Sequence, residues 1–262
     1  MDIVNFLCTK ENGAVVCNPW LGQSKWFEPS LKHSRMCFDG KVYHNKKYKM
    51  VAYSFNPDRF WKVYDFCSNV WIDRPKSKTD DGYVSVETAV SLNGTLYYVC
   101  YTNETDPLGY NISKLDFFSR LLEFFCNIPC GRNHDGDALV LKVFREDQFS
   151  MLKQCIVTKK IDIWVTENNI ENGNDVVWVN FMNFSCPSVP NLAVETIYYT
   201  QPSYFIEDKR LVVCSCDTYG HTYIYVFGDN WLISETRIDN VSWPLHCTFI
   251  PSLVPVPARD RR

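Results

Sequence analysis

The sequence predicts an all-β protein: a propeller-like array of about five to six degenerate, kelch-like blades whose closure is left open, with a pair of β-sandwiches as the alternative. Three observations predict it. Short runs rich in Val, Ile, Tyr, Phe and Trp alternate with turn residues along nearly the whole chain of 262 residues. Aromatic residues make up 15% of the chain, with 8 Trp, 15 Tyr and 17 Phe, enough large flat side chains to fill the space between stacked sheets. Strand-like stretches close repeatedly on a proline, at Pro29, Pro75 and Pro129, 46 and 54 residues apart. Two further units fit residues 138–184 and 193–238. This spacing matches the ~40–50 residue period of propeller blades, whose two apolar faces are buried only by radial stacking. No unit carries a clear kelch or WD signature.

The elements follow in order. "GAVVCNPW" runs into "LGQSKWFEP", and "KYKMVAYSF" is followed by "FWKVYDFCSN" and "VWIDRP". "ETAVSL" turns at Asn93-Gly94 into "TLYYVCY", the strongest hairpin signal in the chain. "KLDFFSRLLEFF" (114–125) crowds its aromatics too closely for one helix face and reads as strand or short mixed structure. "ALVLKVF" turns through 145–147 into "FSMLKQCIV", and "KIDIWVT" follows. "DVVWVNFMNF" (175–184) reads as strand. "YFIED" turns at Asp208-Lys209 into "RLVVCSC", and "TYIYVF" follows. The domain is expected to span 1–256, with a polar tail at 257–262.

Composition excludes several function classes. A net charge of -3 and one short basic cluster, Lys41 to Lys49, give no footprint for nucleic acid or an anionic membrane. "MDIVNFLCTK" lacks the basic start and apolar run of a signal peptide, and no window nears the roughly 18 apolar residues of a membrane span. An intracellular protein of the cytoplasm or nucleus is expected. Its 12 cysteines lie mostly singly in apolar runs, as reduced core thiols do. No Cys-x-x-Cys pair suggests zinc, and no metal or cofactor is expected.

Chemistry-bearing residues are few. "GRNHDGD" (131–137) packs Arg132, His134, Asp135 and Asp137 into one segment, but no nucleophile accompanies them. Its glycines, Asn133 and Asp135 read as a solvated turn that could contact a target. "DRPKSKTDDG" (73–82), the longest polar stretch, is the other surface candidate, with Asp73, Arg74 and Lys76. His221 reads as a hairpin-turn residue. His246 and Cys247 are neighbours on a strand and point to opposite faces. No catalytic residue is assigned, and the protein is not expected to be an enzyme.

Several stretches resemble one family. "VVCNPWLGQSKWFEP" (15–29) is similar to the "NP.LGQ.RWI.P" opening of the plant F-box-associated domain. "FWKVYDFCSNVW" (60–71) resembles its "YEIYDFSSNSW", and "AVSLNGTLYYV" (89–99) its "VSLNGNTYW". "ALVLKVFREDQFSMLKQ" (138–154) and "KIDIWVTENNIE" (160–171) are similar to "LSVVREEKLAVLLQ" and "IEIWVTNKIE". "SYFIEDKRLVVCSCD" (203–217) and "WPLHCTFIPSLVPV" (243–256) resemble "SFFIDEEKKVAVVCD" and "WPLVCSYVPSLVQI". The stretches occur in family order over nearly the whole chain.

The resemblance implies a protein-binding module for substrate recognition. In the family it follows an F-box that docks on a Skp-type adaptor of a cullin-RING ubiquitin ligase. The module then presents a target for ubiquitin transfer. No F-box stretch is read within residues 1–262, so adaptor binding is expected only where an F-box is supplied upstream. A chain decoupled from the ligase is the alternative. A glycan-active propeller enzyme is a third reading, and the sequence offers no converging carboxylates for it.

Overall fold

The computed structural model describes residues 5–8, 14–18, 21–27, 34–39, 49–54, 61–65, 70–73, 83–84, 88–92, 95–102, 109–115, 122–134, 136–145, 147–168, 170, 173–194 and 201–242. Among them the chain is almost entirely β. Twenty strands form five antiparallel sheets. The first holds β1 (Asn5–Cys8), β2 (Ala14–Asn18) and β3 (Gln23–Phe27), and the second holds β4 (Ser34–Asp39), β5 (Lys49–Ser54), β6 (Trp61–Asp65) and β7 (Val70–Asp73), each in sequence order. The third contains β8 (Tyr83–Val84), β9 (Ala89–Leu92), β10 (Thr95–Thr102), β11 (Gly109–Leu115) and β12 (Leu122–Asn127). It runs β12-β11-β10-β8, with β9 also paired to β10. The fourth is β13 (Ala138–Phe144), β14 (Gln148–Gln154), β15 (Lys160–Thr166) and β16 (Trp178–Ser185). The fifth is β17 (Ser203–Glu207), β18 (Arg210–Cys216), β19 (His221–Gly228) and β20 (Trp231–Ser242).

Four sheets fall close to the units that the sequence marks, while the fifth, expected over 193–238, spans Ser203–Ser242. The first three sheets end at Phe27, Asp73 and Asn127, each two residues before one of the periodic prolines. Pro29 and Pro75 lie outside the described residues; Pro129 follows β12, where a proline cannot donate to a ladder. Most of 175–184 forms a strand, β16, as expected. The 114–125 stretch contributes the end of β11 and most of β12. Leu92 pairs with Thr95, the register that the Asn93-Gly94 signal implies. Asp208 and Lys209 both have positive φ, 45° and 64°, and so do Asp229 and Asn230, 51° and 67°. These values fit two-residue turns whose twist matches the flanking strands.

The chain divides into two compact units. One comprises Met1–Thr105, Ile112–Phe124 and Phe249–Arg262; the other comprises Asp106–Asn111 and Phe125–Thr248. In the first unit, Leu96, Tyr98, Val99 and Ile112 are fully enclosed. Val99 donates its amide to the carbonyl of Thr88 at 3.0 Å.

The second unit contains the fourth and fifth sheets packed face to face. Val140, Leu152, Ile161, Ile163 and Phe184 of one meet Tyr204, Leu211, Val213, Tyr225 and Phe227 of the other. Phe184 and Phe227 touch with ring centroids 5.4 Å apart. Each strand delivers these residues at every second position, so one face fills the shared core. The opposite face of the fourth sheet is buried too: Leu139, Leu141, Phe149 and Met151 are enclosed, and Phe149 meets Phe125 edge-on at 6.5 Å. A sheet apolar on both faces is the unit a stacked array needs. Within this core, Tyr204 Oη lies 2.9 Å from Ser150 Oγ and donates to the Val140 carbonyl at 3.4 Å, so a buried hydroxyl link joins the two sheets.

Gly173, in the connection from β15 to β16, passes directly over β12. A Cβ there would lie 1.8 Å from the Phe125 carbonyl oxygen, so only glycine fits. Trp178 Nε1 donates to the Asn127 carbonyl at 3.1 Å and fastens the same connection.

Candidate functional site

Loops gather at one end of the fourth sheet. Residues 128–137 lead into β13, and residues 155–159 join β14 to β15. The buried residue that ties them is Asp137. Its Oδ2 accepts the amides of Asn133 at 2.8 Å and His134 at 3.3 Å, and its Oδ1 accepts the amide of Ile156 at 2.9 Å. Its own amide donates to the His134 carbonyl at 2.9 Å. The carboxylate is fully enclosed, with Lys153 Nζ 4.0 Å away and only 11% exposed. Lys153 also donates to Asn133 Oδ1 at 3.0 Å. A buried charge persists only with such pairing and hydrogen bonding. Gly131 lets the Tyr110 ring press on the loop, since a Cβ would meet Tyr110 Cδ2 at 2.6 Å.

The loop is therefore anchored, not merely solvated. It holds the Arg132 side chain half-buried and His134 exposed. These are two of the expected contact residues, brought together on one fastened segment. Asp135 lies outside the described residues, as do Arg74 and Lys76. Asp73 is the last residue of β7, opposite Lys62 on β6, and belongs to the other compact unit. The anchoring roles of Asp137 and Lys153 were not foreseen from sequence. The only signal was a carboxylate placed directly before an apolar run, where a loop meets a buried strand.

Three groups here have shifted proton affinities. Burial pushes the Cys130 thiol up to about 12, with nearby Lys153 opposing the rise and Asp162 adding to it. Burial raises Cys126 likewise to about 12. Cys155 goes the other way. Burial pushes its thiol up, but hydrogen bonds from the Thr158 side chain and the Thr158 and Val157 amides outweigh that and bring it below the ordinary value.

A second exposed feature caps the fifth sheet where β18 turns into β19. Asp217 Oδ1 accepts the amides of Tyr219 and His221, both at 2.9 Å, and Asp217 Oδ2 lies 2.8 Å from His221 Nδ1. Burial raises the Asp217 carboxyl, but the His221 side-chain and backbone hydrogen bonds and the Tyr219 amide outweigh it and bring the group below the usual carboxylate value. The turn presents Tyr219, 81% exposed, with its ring 6.1 Å from that of His221. The sequence indicates His221 as a turn residue, whereas it opens β19 directly after the turn, and the aromatic tip at Tyr219 is a finding of the structure.

Among the described residues no group of three or more His, Cys, Asp or Glu is placed to hold a metal ion. Cys100, Cys126, Cys130, Cys155, Cys186, Cys214 and Cys216 form no disulfide. No described helix is long and apolar enough to cross a membrane.

Comparison with known proteins identifies the architecture. The F-box associated beta propeller domain matches residues 6–256. An F-box protein of Arabidopsis thaliana is 62% identical over 262 residues, covering 98% of this chain and 71% of the relative. An F-box/kelch-repeat protein of the same plant is 46% identical, covering 97% of this chain and 70% of the relative. Jacalin-related lectin 38 of Arabidopsis thaliana is 35% identical, and this chain spans 50% of its length. Among solved structures, AofleA from Arthrobotrys oligospora aligns with a TM-score of 0.50 at 12% identity, over 88% of this chain and 65% of that one, a likeness of fold alone. With the family pattern matched from the first sheet to beyond the last, the chain belongs to the F-box associated beta propeller domain family.

Proposed function

We propose that the chain is the target-recognition module of an F-box protein, acting in substrate recruitment to an SCF-type ubiquitin ligase inside the cell. The observation that supports this best is the anchored loop 128–137. It is held by main-chain bonds to a buried carboxylate and carries the exposed His134 beside the half-buried Arg132. Recognition residues belong on loops of this kind. Asp73, Arg74, Lys76 and Asp135 are proposed as additional contacts, and the Tyr219 tip as a further one. The module carries out no covalent chemistry. The Skp-type adaptor would be engaged by an F-box joined to it, not by the residues described here.

The test has two arms. The chain, immobilised, is used to capture proteins from plant extract beside an Arg132→Ala/His134→Ala variant of equal melting temperature. A protein retained by the wild type and lost from the variant supports the reading. The chain is then joined to an F-box and supplied with adaptor, cullin, RING protein and ubiquitin. Ubiquitin transfer to the captured protein, absent with the variant, completes it. Retention unchanged by loop substitution removes the loop from the site, and capture without any transfer removes the ligase role.

A further inference from the structure

We propose that the target is bound around Val157, through a segment that carries an aliphatic side chain with a carboxylate next to it. The inference rests on the reading of this end of the fourth sheet as the recognition surface; it adds two segments to that surface and names the chemistry of the ligand. Three segments meet there. The turn 155–159 is closed by the Lys159 amide, which donates to the Cys155 carbonyl at 2.9 Å. The loop 128–137 reaches this turn through the 2.9 Å bond from the Ile156 amide to Asp137 Oδ1. The segment 186–192 reaches it through Lys159 Nζ, which donates to Asn191 Oδ1. Gln154, directly before the turn, holds the same segment by its main chain. Its Nε2 donates to the Pro190 carbonyl at 3.0 Å, and its Oε1 accepts the Leu192 amide at 2.7 Å. Both neighbours thus grip the turn, and Val157 stands between the two attachments.

The tip of a tight turn is ordinarily Gly, Pro, Asn, Asp or Ser. Here it reads Ile156-Val157. Ile156 has a structural reason: it presses on Gly136, where a Cβ would lie 2.3 Å from Ile156 Cδ1. Val157, by contrast, is 67% exposed. A lone exposed valine on a loose surface needs no explanation. A β-branched residue at the tip of a turn fastened on both sides is different, because it holds an apolar group at a fixed point in water. A break with local turn chemistry that brings no packing gain marks a functional position. His134 and Pro190, both exposed, lie on the two segments that grip the turn. A fixed apolar point with polar surroundings is the form of an interface anchor. Charge names the second group. Asp137 is enclosed and faces Lys153, so its carboxylate is used inside the loop. Lys160 is paired with Asp162 at 2.8 Å. Lys159 is held by a neutral amide oxygen; that contact leaves its charge uncancelled, and an ammonium has three donors to share. A carboxylate beside the aliphatic side chain is the complement of this arrangement.

A displayed library of random peptides, selected on the immobilised 262-residue chain, tests it. The enriched peptides should share an aliphatic residue with Asp or Glu next to it. Val157→Asp should bind a synthetic copy of the enriched peptide about tenfold or more weakly, the loss expected at a central apolar anchor. Lys159→Glu, selected afresh, should enrich Lys or Arg where the wild type enriches Asp or Glu; a preference gained in this way is not produced by misfolding. Bound peptide should also slow alkylation of Cys155, at the foot of the turn, as peptide mapping of the wild type reads without any variant. No enrichment on the wild type, equal binding by Val157→Asp, an unchanged preference on Lys159→Glu, or an unprotected Cys155 would each overturn the proposal. The target-recognition reading fails separately, in the capture and ubiquitin-transfer experiment, which uses no selected peptide. Peptides that are enriched yet indifferent to Val157 would overturn this placement and leave that reading standing.

Discussion

Asp137 and Ile156 are joined by a 2.9 Å hydrogen bond from the Ile156 amide to the buried Asp137 carboxylate, which also takes the Asn133 amide at 2.8 Å. One side chain thus fixes the loop before β13 to the turn after β14. Asp137→Ala leaves buried amides without a partner and Lys153 without its counter-charge. A loss of about 2–4 kcal/mol is expected in denaturant titration, from unsatisfied buried donors next to a charge. Asp137→Asn should lose less, since its carbonyl still accepts one of the amides.

The hydroxyl link across the core makes a separable prediction. Tyr204→Phe and Ser150→Ala should each destabilise by about 1–2 kcal/mol, the range for a buried hydrogen bond with one partner left behind. The double variant should fall short of the sum, with a coupling of about 0.5–1 kcal/mol in a double-mutant cycle. Full additivity would show that the two hydroxyls do not interact.

Thiol reactivity should follow the opposite shifts of neighbouring cysteines. Cys155, partly exposed and with its thiol below the ordinary value, should be alkylated by iodoacetamide well before Cys126 and Cys130, both raised to about 12. Timed alkylation of the native protein with peptide mapping reads the order. Thr158→Val removes a hydrogen bond to the sulfur and should slow Cys155 at neutral pH.

The Asp217–His221 turn carries a pH dependence whose sign is fixed. The Asp217 carboxyl is lower in the folded chain than its ordinary value of 3.8. The unfolded chain therefore binds the proton first, and the contribution is present above 3.8 and lost as pH falls from there through the folded value. Acid titration followed by circular dichroism should show Asp217→Asn unfolding with a shallower acid limb than the wild type. Identical acid limbs would remove the turn from the acid response.

Much of the fold was legible because strands buried on at least one face must alternate or run apolar. "ALVLKVF", "KIDIWVT" and "RLVVCSC" do so, and the prolines marked where sheets stop. Strands that escaped include β4 ("SRMCFD"), β11 ("GYNISKL") and β20, polar over "SETRIDNVS", which are mixed or polar in sequence, and the short β1 and β8. Along 233–237 of β20 both faces meet water, so no hydrophobic period can appear there. Asp137 was illegible for a related reason. Polar residues between glycines have the composition of a wet turn, and their burial is decided by Lys153 and Ile156, which reach the loop only in the folded chain. The exposure of His134 was legible because a turn must expose something; the half-burial of Arg132 was not.

The clamp at Asp137 grips the amide groups of Asn133 and His134, and through Lys153 it also holds the Asn133 side chain. Position 134, whose side chain is exposed, can consequently be rewritten while the curve of the segment stays as it is. A library randomised at position 134 alone should yield proteins that melt together yet differ in what they retain. The sheets would then serve as a constant holder for interchangeable keys, as changing one target for another demands.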